Sequence, residues 1–288
     1  MQNHMKLHTI EAGTFKLDGG AMFGVVPKTI WNRLNPADEN NMCLWNMRCL
    51  LVEEGNRKIL IDTGMGSKQD EKFMSYFHPT GLNQLELSLA QAGFHPNDIT
   101  DVFITHLHFD HGGGALKLDK AGNIVPAFPN AKYWSCKTHW DWALDPNPRE
   151  RSSFLKENIK PLEDMGLIHF IDEEQDVKWT EKISVKFSYG HTEAMMIPLI
   201  DIGSGKKLAY CADLLPSQCH IRMPYVMSYD IRPLVTLEEK AVFFEEVLGE
   251  GHILFLEHDK DFECCTIKKN ERGRYGLDKT YKLADFKV

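Results

Sequence analysis

Apolar positions along this chain fall into short runs, and the residues that could do chemistry stand where those runs stop. Residues 49–53 and 58–62 are apolar runs on either side of Glu54-Gly55-Asn56-Arg57, which predicts two strands joined by a tight turn. Leu82, Leu85, Leu89 and Ala92 recur at helical spacing, and Gly93 predicts the helix end. Residues 101–105 read as a short buried strand and 132–135 as another. Pro146-Asn147-Pro148 marks a loop, and 153–165 reads as a helix stopped by Gly166. The second half repeats the style. Residues 183–187 alternate as a strand, 195–201 and 207–212 flank a second hairpin turn, and the latter strand is expected to run to Asp213. An amphipathic helix over 237–248 precedes a strand over 252–256. This order predicts one compact α/β (α+β) domain over 1–288, with two similar halves, sheets inside and helices outside.

The chain has 288 residues and a net charge of -8, enough length to bury a substantial core and the wrong sign for nucleic acid as a partner. The one basic run, Lys268 to Arg274, is short and reads as a solvated turn. No apolar run approaches a membrane span, and Met1 to His8 lacks the apolar stretch of a signal peptide. The 7 cysteines are scattered with no C-x-x-C pair, which fits free thiols in a reducing compartment and places the protein in the cytoplasm.

The densest chemistry is Thr105-His106-Leu107-His108-Phe109-Asp110-His111-Gly112-Gly113-Gly114. Two histidines two positions apart point to one side of extended backbone and can chelate one ion. Asp110 and His111 follow where three glycines are expected to let the chain turn towards a second ion. His191, Asp213 and His258 each close an apolar run further on. Five imidazoles and two carboxylates suffice for two divalent ions: zinc first, with iron, manganese or cobalt accepted by the same donors.

His-x-His-x-Asp-His after a strand, a later Gly-His-Thr and a strand-terminal Ala-Asp resemble the metallo-β-lactamase superfamily, and Asp62 in Ile61-Asp62-Thr63-Gly64 matches its first motif. The resemblance runs from about residue 45 to about residue 260. It implies a four-layer αββα sandwich. It also implies one ion on His106, His108 and His191, a second on Asp110, His111 and His258, Asp213 bridging them, and Asp62 orienting the ligands by hydrogen bonds.

Local residues narrow the branch. Lactam-cleaving members carry cysteine or serine where this chain has Asp213, and di-iron flavoproteins carry glutamate where it has His108. The stretches 17–27, 213–216 and 223–230 look like N-acyl-homoserine lactonases, with two departures. Gly-His-Thr-Pro-Gly becomes Gly190-His191-Thr192-Glu193-Ala194, and Pro216 stands where some lactonases place a tyrosine. The resemblance implies a quorum-quenching hydrolase that opens lactones or small esters with a hydroxide bridging the ions. Asp110 would hand a proton to the leaving oxygen, so Asp110 and Asp213 are the catalytic candidates. Met22, Phe23, His220 and Tyr225 are the candidate substrate contacts. Met22, Phe23, Trp31, Met42, Trp45 and Met47 would line an acyl-chain groove or else fill the core. A phosphotriesterase or thioesterase on the same metals is the alternative, and a non-catalytic metal-binding protein of this fold is another. The expected partner is a small ester or lactone, with no nucleic acid and no membrane; a homodimer is the assembly to test for.

Overall fold

The computed structural model describes residues 5–174 and 177–286. The first four residues of the N-terminal stretch discussed above lie outside the described residues. The chain divides into two compact units, one made of 1–14 and 47–174, the other of 15–46 and 175–287.

The strands, in chain order, are β1 (Lys6–Asp18), β2 (Met42–Glu54), β3 (Arg57–Ile61), β4 (Asp101–Phe103), β5 (Leu116–Leu118), β6 (Ile124–Pro126), β7 (Lys132–Cys136), β8 (Ile168–Ile171), β9 (Val177–Lys178), β10 (Ile183–Ser188), β11 (Met195–Gly203), β12 (Lys206–Tyr210), β13 (Ile253–Phe255), β14 (Cys264–Lys269) and β15 (Tyr275–Tyr281). One sheet has the order β1-β2-β3-β4-β7-β8. β1 as far as Thr14 and β2 from Met47 lie in the first unit with the other four strands. β3, β4 and β7 are mutually parallel, with Ile61 beside Phe103 and Phe103 beside Trp134. Whatever follows β3 and β4 therefore leaves the sheet at one edge, side by side. Parallel sheets expose their chemistry at the carboxyl ends of strands in this way. Asp62 follows β3 there, and Thr105-His106 follows β4.

The second unit repeats the device. Its sheet runs β15-β14-β13-β12-β11-β10-β9. β10 and β12 are both antiparallel to β11, and β13 is parallel to β12, so β10, β12 and β13 point the same way. Their carboxyl ends lead to His191, Asp213 and His258.

The differences from expectation have local causes. β3 stops at Ile61 because Asp62 has left the extended region, with φ 58. β4 stops at Phe103, two residues early, because the Asp62 carboxylate takes the Thr105 N–H that a longer ladder would use. Asp213 does not end a strand. β12 stops at Tyr210, and Asp213 sits in a 3-10 turn, Ala212–Leu214, entered through Ala212 at φ 42. The helix read as 237–248 spans Pro233–Glu250; Pro233 serves at the first helical turn, where its missing N–H is harmless, and Gly251 at φ 67 ends it. The helix read as 153–165 is Lys156–Asp164, since Ser153 N–H is drawn back to the Glu150 carbonyl. All seven cysteines are free and buried. No helix among the described residues is long and apolar enough to cross a membrane.

Candidate metal centre

The first unit supplies His106, His108, Asp110 and His111, all buried. His106 and His108 lie in loop, not strand, and Asp110 and His111 in a one-turn helix, Phe109–Gly112. The ring of His106 is centred 4.6 Å from that of His108 and 3.9 Å from that of His111, so the three imidazoles form one cluster. Asp110 Oδ2 lies 3.7 Å from His111 Nε2. The glycines after the motif work by size rather than by turn conformation. Neither Gly113 nor Gly114 has positive φ, yet a Cβ on Gly113 would meet the Met65 carbonyl oxygen at 2.2 Å and one on Gly114 the Thr63 oxygen at 2.2 Å. That close approach lets Thr63 and Gly64 bond the His111 carbonyl and the Gly114 N–H, each at 2.8 Å.

Asp62 organises this cluster. Its Oδ1 accepts the Thr105 N–H at 2.7 Å, and its Oδ2 accepts the Thr105 hydroxyl at 2.7 Å and faces His111 Nδ1 at 3.1 Å. With its hydroxyl proton given to Asp62, Thr105 Oγ1 accepts from His106 Nδ1 at 3.1 Å. A fully buried carboxylate thus holds the Nδ1 protons of two histidines, one directly and one through a hydroxyl. The Nε2 lone pairs are left as donors. This fixes the tautomer that a metal histidine needs.

The second unit builds a cluster of its own on Asp213. One oxygen lies 3.0 Å from His191 Nε2 and the other 3.1 Å from His258 Nε2. The opposite nitrogens are anchored: His191 Nδ1 to Asp230 Oδ1 at 2.8 Å, and His258 Nδ1 to the Asn46 carbonyl at 2.7 Å. A carbonyl can only accept, so His258 carries its proton on Nδ1. Burial opposes a charge on His191, but Asp213 and Asp230 outweigh it and raise its pKa to about 10. The pocket is built to stabilise positive charge at His191 Nε2, which suits a metal cation. The local backbone is drawn tight: Glu239 accepts from the N–H groups of Tyr189 and Gly190, and a Cβ on Gly190 would meet Thr236 Oγ1 at 2.3 Å. Ala194, at the end of the departure over 190–194, sits at φ 49.

Among the candidate substrate residues, Met22, Phe23, Trp31, Trp45, Met47 and Tyr225 are buried, while Met42 is partly exposed. The Phe23 ring stacks between Trp31 (5.1 Å) and His220 (5.0 Å), and Tyr225 meets it edge-on. His220 is also buried. It donates Nε2–H to the Met22 carbonyl at 2.9 Å and accepts the Ser217 hydroxyl at Nδ1, and burial lowers its pKa to about 3. This geometry is that of packed core, with a neutral histidine tying the Gln218–Ile221 turn to the Gly19–Phe23 helix. Lys240, buried on the long helix, braces the same turn by donating to the carbonyls of His220 (2.8 Å) and Tyr225 (3.0 Å).

Several residues escaped the sequence reading. Asp230 ends the stretch 223–230 but had no partner visible in sequence. His139 accepts the Leu107 N–H, between His106 and His108, at 2.8 Å. Phe109, inside the motif, packs with Phe73 (5.2 Å) and Phe77 (4.6 Å) of the Glu71–Phe77 helix.

Comparison with known proteins agrees with the motif reading. The Metallo-beta-lactamase superfamily model matches residues 48–258. An N-acyl homoserine lactonase of Bacillus thuringiensis is 25% identical over 271 residues, 90% of this chain and 94% of that protein. A crystal structure of a probable metal-dependent hydrolase from Staphylococcus aureus aligns with TM-score 0.83 and 27% identity, over 98% of this chain and 100% of that one. AidC, described as a dizinc quorum-quenching lactonase, aligns with TM-score 0.78 over 98% and 97% of the two chains; at 21% identity that likeness concerns the fold. The chain belongs to the metallo-beta-lactamase superfamily, and its α/β fold class and its standing as a metal-dependent hydrolase follow from that membership.

Proposed function

We propose that this protein is a dinuclear-metal hydrolase that opens small lactones or esters, N-acyl-homoserine lactones first among them. In this reading His106, His108 and His191 would hold one ion, Asp110, His111 and His258 would hold the other, and Asp213 would offer an oxygen to each. The observation that carries the reading is Asp213 itself, which offers one oxygen towards His191 and the other towards His258, each histidine anchored through Nδ1. That is the arrangement a bridging carboxylate needs, and the imidazole and carboxylate donors suit zinc. When bound, two divalent ions supply an activated water at neutral pH and polarise a carbonyl oxygen. The chain's own part is orientation and proton handling. Asp62, Asp230 and the Asn46 carbonyl hold the Nδ1 protons, and Asp110 carries a proton to the leaving oxygen as the ring opens. The curated lactonase relative, similar along nearly the whole chain, supports lactones as the substrate class. Seven buried thiols, none in a disulfide, support a reducing, cytoplasmic setting.

Rates across acyl-homoserine lactones, aryl esters, thioesters and phosphotriesters test the proposal. Lactones turned over far faster than the rest is the expected result. A phosphotriester or thioester preferred over every lactone would move the function to another branch of the superfamily.

A further inference from the structure

The segment 139–154 holds the ligand loop from outside, and its contacts converge on His108. Leu107 N–H donates to His139 Nε2 at 2.8 Å, and Phe109 N–H donates to the Ser153 carbonyl at 3.0 Å. The Phe154 ring lies 4.7 Å from the His108 ring. Between these, Glu150 Oε1 stands 3.6 Å from His108 Nε2, with both side chains buried. The other Glu150 oxygen accepts from Trp142 Nε1 at 2.8 Å and from Asn147 Nδ2 at 2.6 Å. A buried carboxylate is stabilised by a cationic or strongly polarised neighbour, and His108 is placed to be one.

We propose that Glu150 is a positioning residue for the metal centre: it holds the Nε2 proton of His108, so that His108 ligates through Nδ1 and enters the site in one orientation. The inference rests on the dinuclear reading above. It sets His108 apart from His106, His111, His191 and His258, whose Nδ1 atoms are engaged by Thr105, Asp62, Asp230 and Asn46. In Glu150→Gln, Trp142 and Asn147 still demand an acceptor oxygen, so the amide turns its NH2 towards His108 Nε2. His108 must then accept at Nε2 and carry its proton on Nδ1, the atom that should bind metal.

The experiment compares wild type, Glu150→Gln and Trp142→Phe, each stripped of metal and titrated with zinc against a chromogenic chelator. Thermal midpoints of the metal-free forms are measured in parallel. The expected result is a loss of about 10–100-fold in affinity for one zinc in Glu150→Gln, the range for partners of ligating histidines. The second zinc and the metal-free midpoint should stay near wild type, and Trp142→Phe, which keeps the carboxylate, should bind both ions normally. Unchanged zinc affinity in a folded Glu150→Gln protein would overturn the proposal. If that variant does not fold, the zinc-loaded wild type decides through imidazole 1H–15N correlations. A His108 proton on Nε2, protected from exchange, supports the role; a proton on Nδ1 overturns it. Wild type that takes up no zinc would refute the dinuclear reading itself, a failure distinct from normal uptake by the Gln variant.

Discussion

Replacing Asp62 separates stability from tautomer control. The carboxylate is fully buried and receives the Thr105 N–H, the Thr105 hydroxyl and His111 Nδ1 within 2.7–3.1 Å. Removing one partner of a buried, hydrogen-bonded charge typically costs about 3–5 kcal/mol. Asp62→Ala also puts alanine at φ 58, a left-handed conformation that adds about 1–2 kcal/mol. That variant should lose a large part of the roughly 5–15 kcal/mol of a typical domain. Asp62→Asn is the informative change, because asparagine tolerates left-handed backbone and its oxygen can still accept the Thr105 N–H. Its NH2 then faces His111 Nδ1, which must become an acceptor, and the His111 proton moves to Nε2. The expected result is a loss of about 1–2 kcal/mol in the metal-free protein, together with a loss of about 10–100-fold in zinc affinity. Urea unfolding of the metal-free form reads the first quantity, and chelator competition reads the second. An Asn variant that is less stable yet binds zinc as tightly as wild type would refute the tautomer argument and leave Asp62 as a brace for the Thr105 loop.

Burial lowers the Lys240 pKa to about 7, so the folded protein releases that proton earlier than the unfolded chain. Stability should therefore rise with pH above about 7, by about 2 kcal/mol between pH 7 and 9 relative to Lys240→Met, measured as the difference in unfolding free energy; no pH dependence in that difference would contradict the assignment. Ala194→Gly should raise the unfolding free energy by about 1 kcal/mol, because glycine takes the φ 49 backbone without strain, and a lower thermal midpoint would argue against strain there. Phe23→Ala should destabilise by about 3–5 kcal/mol, with KM raised equally for short and long acyl chains; a selective loss for long chains would restore Phe23 as a substrate contact. Asp110→Asn should lower kcat about 10²–10⁴-fold, and full rate with full metal content would end its role as proton carrier.

The parts of the site that were legible in sequence are those whose chemistry is contiguous or sits at the end of an apolar run. His106 to His111 announce themselves by spacing, and His191 and His258 by the strands before them. Asp213 was identified by residue type but given the wrong backbone, because nothing in Ala212-Asp213-Leu214 signals that Ala212 turns left-handed. Asp230, His139 and Glu150 were illegible for a different reason. Asp230 and Glu150 act on His191 and His108, and His139 on the Leu107 N–H, each 30 or more positions away, through pairings that only the folded chain creates. The motif's glycines suggest a sharp turn in sequence, whereas close packing against Met65 and Thr63 is what requires Gly113 and Gly114. The apolar residues of 22–47 gave no means of telling groove from core, since both use the same side chains. The stacking of Phe23 on Trp31 and His220 arises only when the chain folds.

The most direct test of the central claim is the rate of lactone opening by metal-free protein as zinc is added back in counted equivalents. The account predicts negligible turnover without metal and full activity on reaching two zinc ions per chain. Full activity in the metal-free protein, or saturation without metal uptake, would contradict it.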